Sequence, residues 1–323
     1  VTHATRTAAT LDEVREVMGR VRTGIETVIE GKSEAIDVAL TVLLAEGHLL
    51  VEDIPGVGKT MLAKSLGRSI SAEVKRIQFT PDLLPTDITG VSVFNQHTQD
   101  FEFKPGGIFA QIVVGDEVNR ASPKTQSALL ESMEERQVSV DGTTYRLPTP
   151  FMVVATQNPI EMEGTFPLPE AQRDRFMARI NLGYPARASE LAMLDSHGTH
   201  NPLDALAPVT DAATVTALIE AVTTVFVAPV VKDYLVRVVE ATRHTAELRL
   251  GASPRASLHL LRASRAAAAL AGRDFVIPDD VAGLAPAVLS HRLLPAAHAR
   301  LSRRDMGDIV ASIIKTVRIP TGR

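Results

Sequence analysis

The stretch "HLLVEDIPGVGKTML" (residues 48–62) constrains the fold more than any other part of the chain. An apolar run ends in a glycine-rich turn, and the turn ends in Lys-Thr where a helical pattern begins. A phosphate-binding turn needs this order. The strand fixes the loop, the glycines let successive backbone N–H groups turn inward, and the helix dipole adds positive potential. Gly56 and Gly58 permit the tight path, Lys59 is a mobile cation, and the Thr60 hydroxyl faces the seat of a Mg²⁺ ion. Val57 and Met61 complete the nucleotide-binding candidates of the turn. Asp53 stands where such loops usually have their first glycine. Asp tolerates left-handed turn geometry better than most residues, so the loop is expected to keep its path with a fixed negative charge near the phosphate.

A second signal strengthens the first. "QIVVGDEVNR" (111–120) places Asp116 and Glu117 at the end of an apolar strand. In a parallel sheet that end borders the ligand crevice. There Asp116 serves the Mg²⁺ shell and Glu117 polarises an attacking water. Alone, an acidic pair after a strand more often caps a helix; beside the glycine turn the balance reverses. "VVATQNP" (153–159) adds Asn158 after another strand, within reach of the water or the γ-phosphate, although Asn-Pro by itself is a common turn.

Short apolar runs alternate with helical patterns through the first half. "HLLVE", "VKRIQF" (74–79), "FAQIVVG" (109–115), "FMVVAT" (151–156) and "FMARINL" (176–182) read as strands buried on both faces, with helices starting near Lys59, Ser122 and Glu170. This is an α/β pattern with a parallel sheet covered on both sides. "ERQVSVDGTTYRLP" (135–148) reads as a hairpin turning at Asp141-Gly142, and 91–107 as another hairpin or loop excursion. After Pro185 the strand runs stop and Ala and Leu dominate. Residues 1–185 are therefore expected to form a nucleotide-binding core and 186–323 an all-helical second domain, with 199–209 as linker. Tyr234, Leu235, Val238, Val239 and Thr242 share one helical face; Leu258, Leu261 and Arg262 are expected to share another. Pro254 and Pro278 mark helix starts, and Asp279-Asp280 reads as a cap.

With 323 residues, 45% of them hydrophobic, the chain is long enough for two domains. A net charge of −4 without a Lys/Arg block argues against bulk nucleic-acid binding. The absence of Cys excludes disulfides, cysteine-zinc sites and thiol catalysis. No apolar signal region opens the chain and charges interrupt every long apolar stretch. The expectation is a reduced, aqueous, cytoplasmic setting without membrane insertion. His197 and His200 lack a third ligand nearby and read as solvent-exposed rather than as a metal site.

"EDIPGVGKT", "RIQFTPDLLPTDITG", "FKPGGIFA", "DEVNRASPKTQSALLESMEERQVSVDG", "ATQNPIEMEGTFPLPEAQRDRF" and "GASPRASLHLLRASRA" occur in one order along about residues 20–320. This set resembles the AAA+ ATPases of the MoxR family. The resemblance implies an αβα core with strand order 5-1-4-3-2, a helical lid, ATP/ADP and Mg²⁺ as cofactors, and a ring, usually a hexamer, with ATP between subunits. It matches Gly56, Gly58, Lys59 and Thr60 to Walker A, Asp116 and Glu117 to Walker B, and Asn158 to sensor 1. It matches Arg175 to the arginine finger, with Arg173 as the alternative, and Arg255 to the sensor 2 arginine of the lid. Val28 and Ile29 resemble the apolar residues that pack on adenine. Segments 91–107 and 136–148 resemble hairpins that face the ring pore or a client. The family implies a chaperone-like motor acting on a protein partner, often one with a von Willebrand factor A domain. The alternatives are a motor subunit of a metal-chelatase-like complex, a nucleotide-gated scaffold with little turnover, and a DNA-acting motor.

Overall fold

The computed structural model describes residues 9–159, 164–188, 190–191, 202–301 and 304–320. Two helices, α1 (Leu11–Glu26) and α2 (Ser33–Leu44), precede the first strand, β1 (Leu49–Glu52). The core continues with α3 (Lys59–Ser69), β2 (Val74–Gln78), α4 (Pro85–Thr89) and a hairpin of β3 (Gly90–Asn95) and β4 (Asp100–Pro105). β5 (Ile112–Asp116), α5 (Pro123–Glu135) and a second hairpin of β6 (Gln137–Val140) and β7 (Thr143–Arg146) follow. β8 (Met152–Gln157), the one-turn α6 (Glu170–Arg173) and β9 (Ala178–Ile180) complete it.

Five strands form one parallel sheet in the order β2-β5-β8-β1-β9. Numbered by sequence within the sheet, this is 5-1-4-3-2 from the β9 edge. Side chains alternate along each strand, so the sheet divides two apolar clusters. Leu49, Val51, Ile112, Val114 and Val154 face the cluster of α1, α2, α3 and the lid. Leu50, Val113, Val153 and Ala155 face the one formed with α5 and Phe79. β2 departs from the expectation of burial on both faces: only Ile77 of its five residues is buried. It is the sheet edge, and its Lys75, Arg76 and Gln78 border water and the crevice. Such charges on an edge strand also discourage pairing with another chain.

The C-terminal lid is helical: helices Ala212–Thr223, Pro229–His244, Pro254–Leu270, Pro278–Leu289 and Met306–Thr316 carry it. A small antiparallel ribbon, Leu248–Leu250 with Leu294–Pro295, is an addition to the expected helices. Tyr234, Leu235, Val238, Val239 and Thr242 are buried on one face. Leu258, in contrast, is 61% exposed. The buried stripe of its helix runs through Ala256, Leu260, Ala263 and Ser264, and two residues is about 200° around a helix. The segment after Pro202 is no loose linker. Arg68 Nε donates to the carbonyl of Leu206 (2.6 Å), Arg68 Nη2 to that of Asp204 (2.8 Å), and Val209 N to that of Ser69 (2.8 Å). α1 lies where core and lid meet, with Val14, Met18, Val21 and Ile25 fully buried in the cluster it shares with the lid helices.

Candidate nucleotide site

The turn between β1 and α3 has the path its glycines predict. Gly56 (φ 84°) and Gly58 (φ 93°) are both left-handed, a conformation that costs an L-residue energy and glycine almost none. Gly58 caps α3, whose first turn carries no acidic residue, so the positive end of the helix is open to an anion. Lys59 Nζ donates to the backbone carbonyl of Asp53 (2.6 Å), which folds the side chain back over the loop. Asp53 itself is not left-handed, and the reason for Asp lies in its side chain. Oδ2 accepts from the amides of Leu182 and Gly183 (2.6 Å each) and Oδ1 from that of Ile54 (2.8 Å). The buried carboxylate is thus committed to the exit of β9 rather than to the phosphate seat.

Because the strands are parallel, the ends of β1, β5 and β8 lie on one edge of the sheet. A cleft of about 360 Å³ opens there, lined by Pro55, Gly56, Gly58, Lys59, Thr60, Met61, Asp116 and Glu117. Thr60 Oγ1 lies 3.4 Å from Asp116 Oδ2. Arg76, reaching over from β2, donates to the same oxygen from Nε (3.0 Å) and Nη2 (2.7 Å). Thr156 donates its hydroxyl to Asp116 Oδ1 (2.5 Å) and accepts the amide of Glu117 (3.0 Å), tying the end of β8 to both acids. Glu117 is left-handed (φ 57°, ψ 50°), a strained conformation for a residue with a Cβ. Its carboxylate accepts from Gln78 Nε2 (2.9 Å) and pairs with Arg120 Nε (3.2 Å). Asn158 is buried just past the end of β8. Val28 and Ile29 lie in the turn after α1. Ile29 is buried in the main core and Val28 packs partly buried against it, as do Val57 and Met61.

Arg175 and Arg255 are not at this cleft. Arg175 precedes β9, at the opposite edge of the sheet from the turn, about one strand length (~13 Å) or more away. There it meets Arg255 from the lid: Arg175 Nε lies 3.3 Å from Glu134 Oε2, and Arg255 Nη2 lies 2.6 Å from Glu134 Oε1. Arg173 ends α6 two residues earlier. The neighbouring Asp174 accepts from the Ser253 hydroxyl (2.8 Å) and from the buried Arg292 Nε (2.8 Å). Burial lowers the Arg292 pKa to about 10, so it remains a cation at neutral pH. Arg76, Gln78, Thr156, Glu134 and Arg292 are the site residues that the sequence reading missed. The one available signal was that two of them, Gln78 and Thr156, sit at the C-terminal ends of sheet strands. His197 and His200 lie outside the described residues, among which no cluster of three or more His, Asp or Glu is arranged for a metal. No described helix is long and apolar enough to cross a membrane.

Comparison with known proteins agrees with this fold. A family model described as "ATPase family associated with various cellular activities (AAA)" matches residues 48–178, and one described as "AAA lid domain" matches 240–313. The chain is 46% identical to the uncharacterized protein YeaC of Bacillus subtilis, over 97% of this chain and 98% of that one. It is 41% identical to the chaperone MoxR1 of Mycobacterium tuberculosis, over 92% of this chain and 80% of the relative. A crystal structure from Cytophaga hutchinsonii, provisionally named an ATPase, superposes with a TM-score of 0.89 at 36% identity, covering 96% of this chain and 97% of that one.

Proposed function

This chain belongs to the MoxR family of AAA+ ATPases, and on that premise we propose that it hydrolyses ATP to ADP and phosphate and couples the cycle to remodelling or activating a partner protein. The cleft at the sheet edge carries this reading, because it brings a phosphate turn, a lysine, a Thr–Asp pair and a second carboxylate to one place. The donor set fits Mg²⁺: a hydroxyl and a carboxylate oxygen face each other beside the phosphate turn, the hard oxygen ligands this ion prefers. Thr60 and Asp116 would hold it, and when bound it offsets charge on the β- and γ-phosphates. The amides around Gly56 and Gly58 bind the phosphates, and Lys59 swings from the Asp53 carbonyl to the β/γ-oxygens. Glu117 polarises the attacking water, and Asn158 orients water or the γ-phosphate. Val28 and Ile29 flank the adenine.

Arg175 and Arg255 lie at the wrong edge of the sheet to reach a phosphate in their own subunit. We assign both to the ATP of a neighbouring subunit, which makes the active site a property of a closed, hexameric ring. The core is taken as residues 1–185 and the lid as 186–323. The name of MoxR1 supports a chaperone-like role, and a protein with a von Willebrand factor A domain is the partner class to test first. The cytoplasm, where ATP is abundant, suits such a cycle.

The test is Glu117→Gln. The variant keeps the shape and the ATP-binding groups but loses the base, so turnover should fall by about 10²-fold or more while ATP affinity by calorimetry stays within a few-fold. Turnover near the wild-type rate would overturn the assignment of Glu117.

A further inference from the structure

The pocket between α5, the segment before β9 and the first turn of helix Pro254–Leu270 holds more cations than anions. Among the described residues, Arg136, Arg175, Arg255 and Arg262 line it together with two carboxylates, Glu46 and Glu134. Glu46 serves Arg136 and Arg262. Glu134, near the end of α5, gives one oxygen to Arg175 and the other to Arg255. We infer that Glu134 is a positioning residue, holding Arg175 and Arg255 as a convergent pair for the phosphates of a neighbouring subunit's ATP; this rests on the reading in trans given above.

Three observations carry the inference. First, the backbone around the finger is already fixed. Arg292, its side chain 1% exposed, donates to the carbonyls of Asp174 (3.1 Å), Phe176 (2.6 Å) and Met177 (3.2 Å) as well as to the Asp174 carboxylate. What this network leaves to be set is the direction of the two long side chains. Second, Glu134 is 35% exposed, and Arg175 and Arg255 are 32% and 35% exposed. Ion pairs this open to water add little to stability, so their value lies elsewhere. Third, a guanidinium has five N–H donors. Asp174 Oδ2 stands 4.0 Å from Arg255 Nη1, but of the two carboxylates Glu134 is the one that bridges both guanidiniums, leaving donors on each for phosphate oxygens with the two cations held against their mutual repulsion. Without it they repel and regain rotamer freedom.

Glu134→Gln in the full chain tests this. Turnover at saturating ATP and protein should fall about 10- to 100-fold, the range expected when a catalytic group is misplaced by about an ångström. ATP affinity and thermal midpoint should not change. Glu134→Asp, which keeps the charge on a shorter arm, should recover part of the loss, and Glu135→Gln should match the wild type. In an Arg175→Ala/Arg255→Ala background, Glu134→Gln should cause no further loss. Turnover within about twofold of wild type, or a loss that multiplies fully onto that of the arginine variants, would overturn the positioning role. Mixing Lys59→Ala with Arg175→Ala subunits tests the trans reading separately, because the first donates the finger and the second binds ATP. Recovered activity in the mixture with an inert Glu134→Gln would sink only the inference about Glu134. No recovery despite demonstrated subunit exchange would sink both.

Discussion

At the first position of the phosphate turn, the Asp53 carboxylate accepts the amides of Ile54, Leu182 and Gly183. Replacing it with Ala leaves three N–H groups without a charged acceptor, two of them beside the buried exit of β9. Asp53→Ala should therefore destabilise the fold by roughly 2–4 kcal/mol in chemical denaturation and weaken ATP binding through a loosened turn. An unchanged midpoint together with tighter ATP binding would mean that the carboxylate acts on the phosphate instead. Lys59, Thr60, Asp116 and Glu117 were legible in the sequence because each follows an apolar strand, so local order alone places them at one sheet edge. Thr156, Gln78 and Glu134 were not. Each is a single polar residue whose partner lies about 40 or more positions away, and no periodicity records such a pairing. The role of Asp53 was misjudged for the same reason, since its partners stand 129 and 130 residues further on.

The two hairpins are the elements that leave the nucleotide core. Asp141 (φ 49°) and Gly142 (φ 77°) turn the second as the sequence foretold, because a two-residue hairpin turn of this hand needs left-handed residues. In the first, Phe94 and Phe101 pack edge to face at 5.4 Å and yet are 50% and 68% exposed. Phe103, two residues along the same strand and so on the same face, stacks on Tyr145 of the second hairpin, ring centroids 3.9 Å apart. Phe101→Ser should thus change stability by no more than about 0.5 kcal/mol. Phe103→Ala should speed amide exchange across both hairpins while the central sheet stays protected. Equal exchange in wild type and Phe103→Ala would show that the hairpins are held independently. The patterns that sequence reading got wrong share one cause: β2 and helix Pro254–Leu270 are placed by neighbours far along the chain. An edge position for β2 and a buried Ala256–Leu260 stripe follow from that packing and not from local composition.

Across the whole molecule, core and lid meet along a seam with two buried histidines, His48 and His291, and a half-buried one, His259. His48 Nδ1 accepts the amide of Val153 (3.0 Å) while Nε2 faces the Met133 carbonyl (3.1 Å), an arrangement that suits the neutral ring. His291 Nε2 reaches from the lid to the Phe176 carbonyl (3.0 Å), and His259 Nδ1 lies 2.5 Å from Arg292. Burial lowers the pKa of all three, that of His48 to about 4. Between pH 6.5 and 4 the unfolded chain therefore takes up protons that the folded chain refuses, and stability falls as pH drops through that window. His48 alone accounts for roughly 3 kcal/mol when the window is fully crossed. The thermal midpoint should drop between pH 7.5 and 5, and His48→Gln should flatten part of that slope. A midpoint that does not move would mean that the rings are protonated in the fold.

The position of α1 has a consequence in time. Its buried face, Val14, Met18, Val21 and Ile25, finds part of its cover on helices Ala212–Thr223 and Pro254–Leu270. Those helices are translated some two hundred residues later, which at cellular speeds is on the order of ten to fifty seconds. For that interval the ribosome carries a nascent chain in which the apolar stripe of α1 is only partly covered. Two lid helices that emerge much later complete the burial of α1.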